Sequence, residues 1–177
     1  QDSQILQAKG RQYSTSELLA DKASEELENG SFATIYLSPK DYHRIHMPCD
    51  GVLISMKYIP GNLFSVNQKT VNQVKKIFAR NERLICLFDT DFGVMAFVLV
   101  GAIFVGSMQT EWQGQITPPY SKTVINYDYK GREISLAKGD ELGRFNMGST
   151  VIMLLPEDFP EMNLHAGQQL KMGQALI

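Results

Sequence analysis

The chain has 177 residues, 44% hydrophobic and 20% charged, with a formal net charge of −2. That length allows one domain, 1–177, with its own core, and that charge gives no basis for a nucleic-acid partner. Cys49 and Cys86 are too few for a disulfide framework or a four-cysteine zinc site, which makes a reduced compartment the default.

The first element in chain order starts at Ser14-Thr15-Ser16-Glu17, a capping-box pattern. Leu18, Leu19, Ala23 and Leu27 follow at helical spacing and Gly30 stops the run, so one amphipathic helix is expected. Phe32–Leu37 reads as a strand. Ser38-Pro39-Lys40-Asp41 is a second helix-start signal, with serine at the cap and proline at the first helical position. Pro48 limits that helix to one or two turns. Val52–Tyr58 reads as a strand, Pro60-Gly61-Asn62 as a turn and Val71–Arg80 as a short helix. Leu84–Phe88, Val94–Val100, Phe104–Thr110, Glu133–Ala137 and Val151–Leu155 read as strands separated by Gly, Asp, Asn and Pro. The expected class is α+β and β-rich, with antiparallel sheets and two or three short helices, because the strand spacing favours antiparallel sheets over βαβ units. The longest apolar run, Val94–Val105, is interrupted by Gly101 and is too short for a helical membrane span. Gln1 is neither an initiating methionine nor the start of a signal peptide, so a fragment or processed product is expected.

Gly148-Ser149-Thr150 opens the apolar run Val151-Ile152-Met153-Leu154-Leu155. Such triplets are commonly turns that lead into strands. An esterase serine sits in a G-x-S-x-G elbow between strand and helix, whereas here Met147 and Val151 flank the triplet and a strand follows. A Gly-Ser bond is the peptide bond least hindered toward a neighbouring hydroxyl, so Ser149 is a candidate to attack its own backbone. Upstream, Asp41-Tyr42-His43-Arg44-Ile45-His46-Met47-Pro48 places two histidines three residues apart. A short capped helix would present both from one face, where either can take or give a proton near neutral pH. A surface turn with two ordinary histidines fits this segment too. A metal site would need His165, Asp41 or Cys49 in addition, at no standard spacing, so no metal is expected.

Tyr36-Leu37-Ser38-Pro39-Lys40-Asp41-Tyr42-His43-Arg44-Ile45-His46-Met47-Pro48 resembles the histidine motif of bacterial-type phosphatidylserine decarboxylases. Gly61-Asn62-Leu63-Phe64-Ser65-Val66-Asn67, Phe78-Ala79-Arg80-Asn81-Glu82-Arg83 and Gly143-Arg144-Phe145-Asn146-Met147-Gly148-Ser149-Thr150 match the same family in the same order, from about Ile5-Leu6-Gln7-Ala8-Lys9-Gly10 onward. The resemblance implies a proenzyme that cuts itself at Gly148–Ser149. It implies a β chain of 1–148, an α chain of 149–177 and a pyruvoyl group derived from Ser149. That carbonyl would form a Schiff base with the substrate amine and act as an electron sink as CO2 leaves. By resemblance His46 is the base that deprotonates Ser149, and His43 assists decarboxylation by protonating the resulting carbanion. The family's third cleavage residue, an aspartate in an Asp-Gly segment, lies upstream of Gln1; Asp50-Gly51 follows the histidines and does not occupy that place. Met147 stands where the family usually has leucine.

The same resemblance implies phosphatidylserine as substrate, phosphatidylethanolamine as product and peripheral attachment to the cytoplasmic face of the cell membrane. It also allows a homodimer. Arg144, with a planar fork suited to phosphate, and Phe64 and Met47, as apolar walls, are candidate substrate contacts; an ion pair in the sheet for Arg144 and core positions for the other two are the alternatives. Trp112 is read as packing. Gly167–Leu176 looks like the hammerhead of biotinyl or lipoyl carriers, with Leu170-Lys171-Met172 at its turn. A hammerhead-like strand-turn-strand is therefore expected at the C-terminus, and a carrier module is a rival reading that leaves the histidine motif unexplained. A self-processing protein without decarboxylase activity is the other alternative.

Overall fold

The computed structural model describes residues 4–8, 11–103 and 107–177. Its centre is a sheet of antiparallel strands. β6 (Arg83–Thr90), β7 (Gly93–Val100) and β13 (Thr150–Leu155) lie side by side, β3 (Ser31–Tyr36) pairs beyond β13, and β5 (Gly51–Ile59) pairs beyond β6. β10 (Ile125–Asp128) and β11 (Ser135–Leu136) both add to β5. Strand neighbours alternate faces, so the unbroken burial of Arg83–Phe88, Met95–Val100 and Thr150–Leu155 means that both faces of these strands are covered. Ile85, Val98 and Ile152 share one register row, which is why these segments are apolar throughout rather than alternating. Gly93 takes φ +111° in the tight β6–β7 turn, where the Thr90 hydroxyl donates to its carbonyl at 2.7 Å.

A second sheet runs β4 (Arg44–His46), β12 (Glu141–Phe145), β8 (Met108–Thr110) and β9 (Gly114–Thr117). Gly143 lets β12 and β8 close: a Cβ there would lie 2.2 Å from the Gln109 carbonyl oxygen. β1 (Gln4–Ala8) and β2 (Arg11–Ser14) form a separate hairpin. Lys9, Gly10 and the expected strand positions 104–106 lie outside the described residues.

The antiparallel, β-rich expectation holds, but four local expectations need correction. The capping box forms at Ser14, yet α1 covers only Thr15–Leu19: Ala20 turns left-handed (φ 46°) and the Asp21 carboxylate caps a separate 3-10 turn at Lys22–Ser24. Leu18, Leu19, Ala23 and Leu27 are buried all the same. The helix expected over Val71–Arg80 is two single turns, α2 (Gln68–Val71) and α3 (Ile77–Arg80), separated by Lys76 at φ 54°. Ser38-Pro39-Lys40-Asp41 makes one turn and no helix, because its bonds are local and the chain then pairs with β12 as β4. The C-terminal segment 156–177 contains no strand, so the expected hammerhead is absent. It closes as a loop through the Asn163 N–H on the Leu176 carbonyl, and Lys171 sits in a turn with no strand on either side.

Candidate functional site around Gly148 and Ser149

Ser149 immediately precedes β13 and is fully buried, 0% exposed. Its hydroxyl donates to the Val100 carbonyl at the end of β7, and its own carbonyl accepts the Leu37 N–H at 2.7 Å. Gly148 runs hard against the segment that leaves β3: a Cβ there would meet the Leu37 oxygen at 2.7 Å and the Pro39 nitrogen at 2.8 Å. Only glycine fits that approach. The requirement is steric, and it leaves the Gly148 carbonyl carbon unshielded by any side chain of its own.

The facing segment is folded by short-range bonds. The Asp41 carboxylate accepts the Ser38 N–H at 2.8 Å and the Ser38 hydroxyl at 2.7 Å, and the Asp41 N–H closes the turn on the Ser38 carbonyl. These bonds, the hydroxyl first, hold the Asp41 carboxyl below the usual carboxylate range. Beyond the turn, the Phe145 N–H donates to the His43 carbonyl at 3.1 Å. Residues 37–43 and 145–149 are therefore tied at both ends, by Leu37 to Ser149 and by Phe145 to His43. The His43 Nε2 is buried here and has no partner among the described residues. A buried imidazole nitrogen without a partner carries a desolvation cost, and it marks a place where a ligand can restore the bond.

His46 is arranged differently. The expected shared helical face does not form: the segment makes no helix, and His46 ends the extended strand β4. The His46 Nδ1 lies 2.8 Å from the Gly139 carbonyl oxygen, and its Nε2 lies 2.9 Å from the Tyr42 hydroxyl. The Tyr42 ring stacks on the imidazole at 5.8 Å between centroids. The bonds of Ser149 and of His46 thus go to different partners. Tyr42, Gly139 and Val100 were not singled out in the sequence. Tyr42 sits four residues before His46, whereas a backbone carbonyl such as Gly139 or Val100 leaves no trace in a residue pattern.

The candidate substrate contacts are each engaged in the fold. The Arg144 Nε donates to Gln109 at 2.6 Å, and its guanidinium lies 4.0 Å from Glu141, which also pairs with Arg44 at 2.5 Å. Met47 is 2% exposed in the core. Phe64 carries the Arg80 guanidinium 5.0 Å above its ring, and its backbone is bracketed by the Asn81 side chain. Gly61 packs on Arg80–Glu82, where a Cβ would come within 2.6 Å of backbone, so the segments 61–67 and 78–83 are locked to each other. Trp112 packs edge-on to Phe88, as expected of a packing residue.

Comparison with known proteins identifies the family. The family model described as phosphatidylserine decarboxylase matches residues 1–177. The phosphatidylserine decarboxylase proenzyme of Vibrio parahaemolyticus serotype O3:K6 (strain RIMD 2210633) is 53% identical over 180 residues, covering 98% of this chain and 63% of the relative. Those of Acidovorax ebreus (strain TPSY) and Nitrosococcus oceani (strain ATCC 19707 / BCRC 17464 / JCM 30415 / NCIMB 11848 / C-107) are 51% and 55% identical, each over 180 residues and 99% of this chain, and over 64% and 59% of the relative. The chain thus spans less than two thirds of the length of these curated relatives. With the family model matching from end to end and half of all aligned positions identical, this chain belongs to the phosphatidylserine decarboxylase family.

Proposed function

We propose that this chain is the self-cleaving, catalytic part of an enzyme that decarboxylates phosphatidylserine to phosphatidylethanolamine at a membrane surface, on the cytoplasmic face. The supporting observation is the clamp between residues 37–43 and 145–149, two tied segments that carry a side-chain-free carbonyl, a buried serine and a buried imidazole nitrogen with no partner among the described residues. Among the described residues no helix is long and apolar enough to cross a membrane.

In this reading the Ser149 Oγ attacks the Gly148 carbonyl carbon, the Gly148–Ser149 C–N bond breaks, and the freed amine takes up the proton. His46 carries that proton. Elimination from the resulting ester releases Gly148 as a carboxylate. Water then replaces the nitrogen, ammonia leaves, and residue 149 ends as a pyruvoyl group at the head of the 29-residue segment 149–177. The site suits that group. It uses the atoms of Ser149 itself, in a buried position. Once formed, the group supplies a carbonyl for the serine amine of the lipid and draws electrons away as CO2 departs. The His43 Nε2 then delivers a proton to the carbon that has lost CO2, a role suited to a nitrogen with no partner among the described residues.

The test is the precursor with Ser149→Ala. It should run as one uncut chain on denaturing gels and release no CO2 from phosphatidylserine. The unaltered precursor should yield a segment beginning at 149 that is lighter than its serine form by the mass of ammonia. A cut or active Ser149→Ala protein would overturn the proposal, and cutting of the unaltered protein without CO2 release would favour self-processing alone.

A further inference from the structure

We infer that the Leu37 N–H is a catalytic donor in the maturation of residue 149, because it holds the carbonyl oxygen on which charge gathers when the Ser149 Cα proton leaves. The inference rests on the self-cleavage reading above and concerns its elimination step. The Leu37 N–H donates to the Ser149 carbonyl at 2.7 Å, the short end of the range for such bonds.

The attack on Gly148 leaves the Ser149 Oγ esterified. In the elimination the Ser149 Cα proton passes to the base that served the first step, which is free again once the amine has taken up the serine proton. The Cα–H electron pair becomes the Cα–Cβ double bond. The Cβ–Oγ bond breaks, and its pair leaves with the Gly148 carboxylate. The carbonyl attached to that Cα is the one of Ser149 itself, so negative charge spreads onto its oxygen as the proton departs. A fixed N–H aimed at that oxygen stabilises the transition state more than the ester that precedes it. The same oxygen lies beside the ketone of the pyruvoyl group, so the donor is retained after maturation.

The bond is more than a continuation of the sheet. The β3–β13 register ends at Tyr36 opposite Thr150, and the Leu37 N–H reaches Ser149 one residue further on. Bonded pairs of an antiparallel ladder exchange two hydrogen bonds. Among the described residues the Ser149 N–H returns none to Leu37. The rung therefore holds the oxygen and leaves outside the ladder the nitrogen whose bond to Gly148 must break. The donor is fixed from both sides, by β3 before it and by the turn after it, where the Ser38 N–H bonds to the Asp41 carboxylate at 2.8 Å. The acceptor is fixed too, since Thr150 pairs at once with Tyr36 and with Val100. Ser149 is 0% exposed, and a hydrogen bond to developing charge is stronger in such a low-dielectric place.

The test exchanges the Leu37 amide for an ester by placing 2-hydroxy-4-methylpentanoate at position 37, which removes the N–H and keeps the side chain. The full-length precursor carrying it should mature about 10²–10³-fold more slowly, the usual worth of one oxyanion donor. Elimination should become the slow step. Hydroxylamine should then release a 149–177 segment headed by serine, and deuterium at the Ser149 Cα should slow the exchanged precursor more than the unaltered one. The same exchange at Ile35, which stands opposite Val151, removes a backbone donor from β3 without touching residue 149 and should leave the maturation rate unchanged. With Leu37 intact, the uncut Ser149→Ala precursor should show an NMR coupling across the hydrogen bond, between the Leu37 nitrogen and the carbonyl carbon of residue 149. Absence of that coupling, full-speed maturation of the Leu37 ester, an unchanged isotope effect or equal slowing by the Ile35 ester would each overturn the inference. An unaltered precursor whose 149–177 segment keeps a serine head would instead sink the self-cleavage reading itself, an outcome distinct from a precursor that matures normally and ignores the ester.

Discussion

Strands β6, β7 and β13 hide both faces and are held by packing; the segments 37–43 and 145–149 beside them are held by hydrogen bonds. Ser149 stands at the seam, anchored to β7 through Val100 and to the loop through Leu37. Packing is non-directional and spread over many atoms, so a central strand absorbs small shape changes at a graded cost. A hydrogen-bonded turn depends on single atoms. The site therefore draws its rigidity from one region and its chemistry from the other, and the two should respond differently to substitution.

The largest effect belongs to the seam. His46→Ala should leave the precursor uncut, because on the proposed reading the serine loses its base, and electrophoresis after prolonged incubation checks it. His43→Ala should separate the two steps. It should still cut, since its free nitrogen takes no part in the serine attack proposed here, but decarboxylation should fall by about 10²–10⁴-fold, the usual worth of a positioned acid or base. A His43→Ala protein that cuts and turns over at full speed would remove the chemical meaning of that buried, unpartnered nitrogen.

The core should respond in stability rather than in chemistry. Ile152→Ala should cost about 2–5 kcal/mol through lost burial and the cavity left behind. The denaturant midpoint should drop with little change in slope, while the folded fraction still cuts itself. If Ile152→Ala abolished cleavage under conditions where it is folded, the division between scaffold and site would be wrong.

The smallest expected effect is at the turn. Hydrogen bonds from Ser38 hold the Asp41 carboxyl below its ordinary range, so its bonds favour the folded turn above the unfolded carboxylate value and are lost as pH falls through the lower folded one. The Ser38 amide resonance should track that acid titration, and Asp41→Asn should abolish it with little change in global stability. A Ser38 amide that ignores acid pH would show that the turn is held by its backbone bond alone.

Much of the central sheet is legible in the residues. Leu84–Phe88, Val94–Val100 and Val151–Leu155 are apolar, rich in β-branched and aromatic side chains and bounded by turn formers, and they became β6, β7 and β13 nearly as read. The strands that escaped, β1, β2, β4, β9, β10 and β12, are three to five residues long and carry polar or glycine residues, such as Gly143 in β12. Their identity comes from a partner strand, not from their own periodicity. Ser38-Pro39-Lys40-Asp41 shows the ambiguity directly: the same cap residues begin a helix or close a single turn, and pairing with β12 selects the turn.

The same division runs through the site. The sequence alone determined which residue types are present for the chemistry, a glycine-serine bond and two histidines, and the order of motifs that ties the chain to its family. It also determined the local Ser38–Asp41 bonds, because their partners are three residues apart. Only the tertiary structure decided that Gly148 must be glycine because Leu37 and Pro39 crowd it, and that the His43 Nε2 is buried with no partner among the described residues. It alone decided that Gly139 and Tyr42 divide the two nitrogens of His46 between them. The physical reason is that these are contacts of backbone atoms and of residues as far apart in the chain as Leu37 and Gly148. A carbonyl oxygen is the same in every residue, and only the fold says which one a side chain meets.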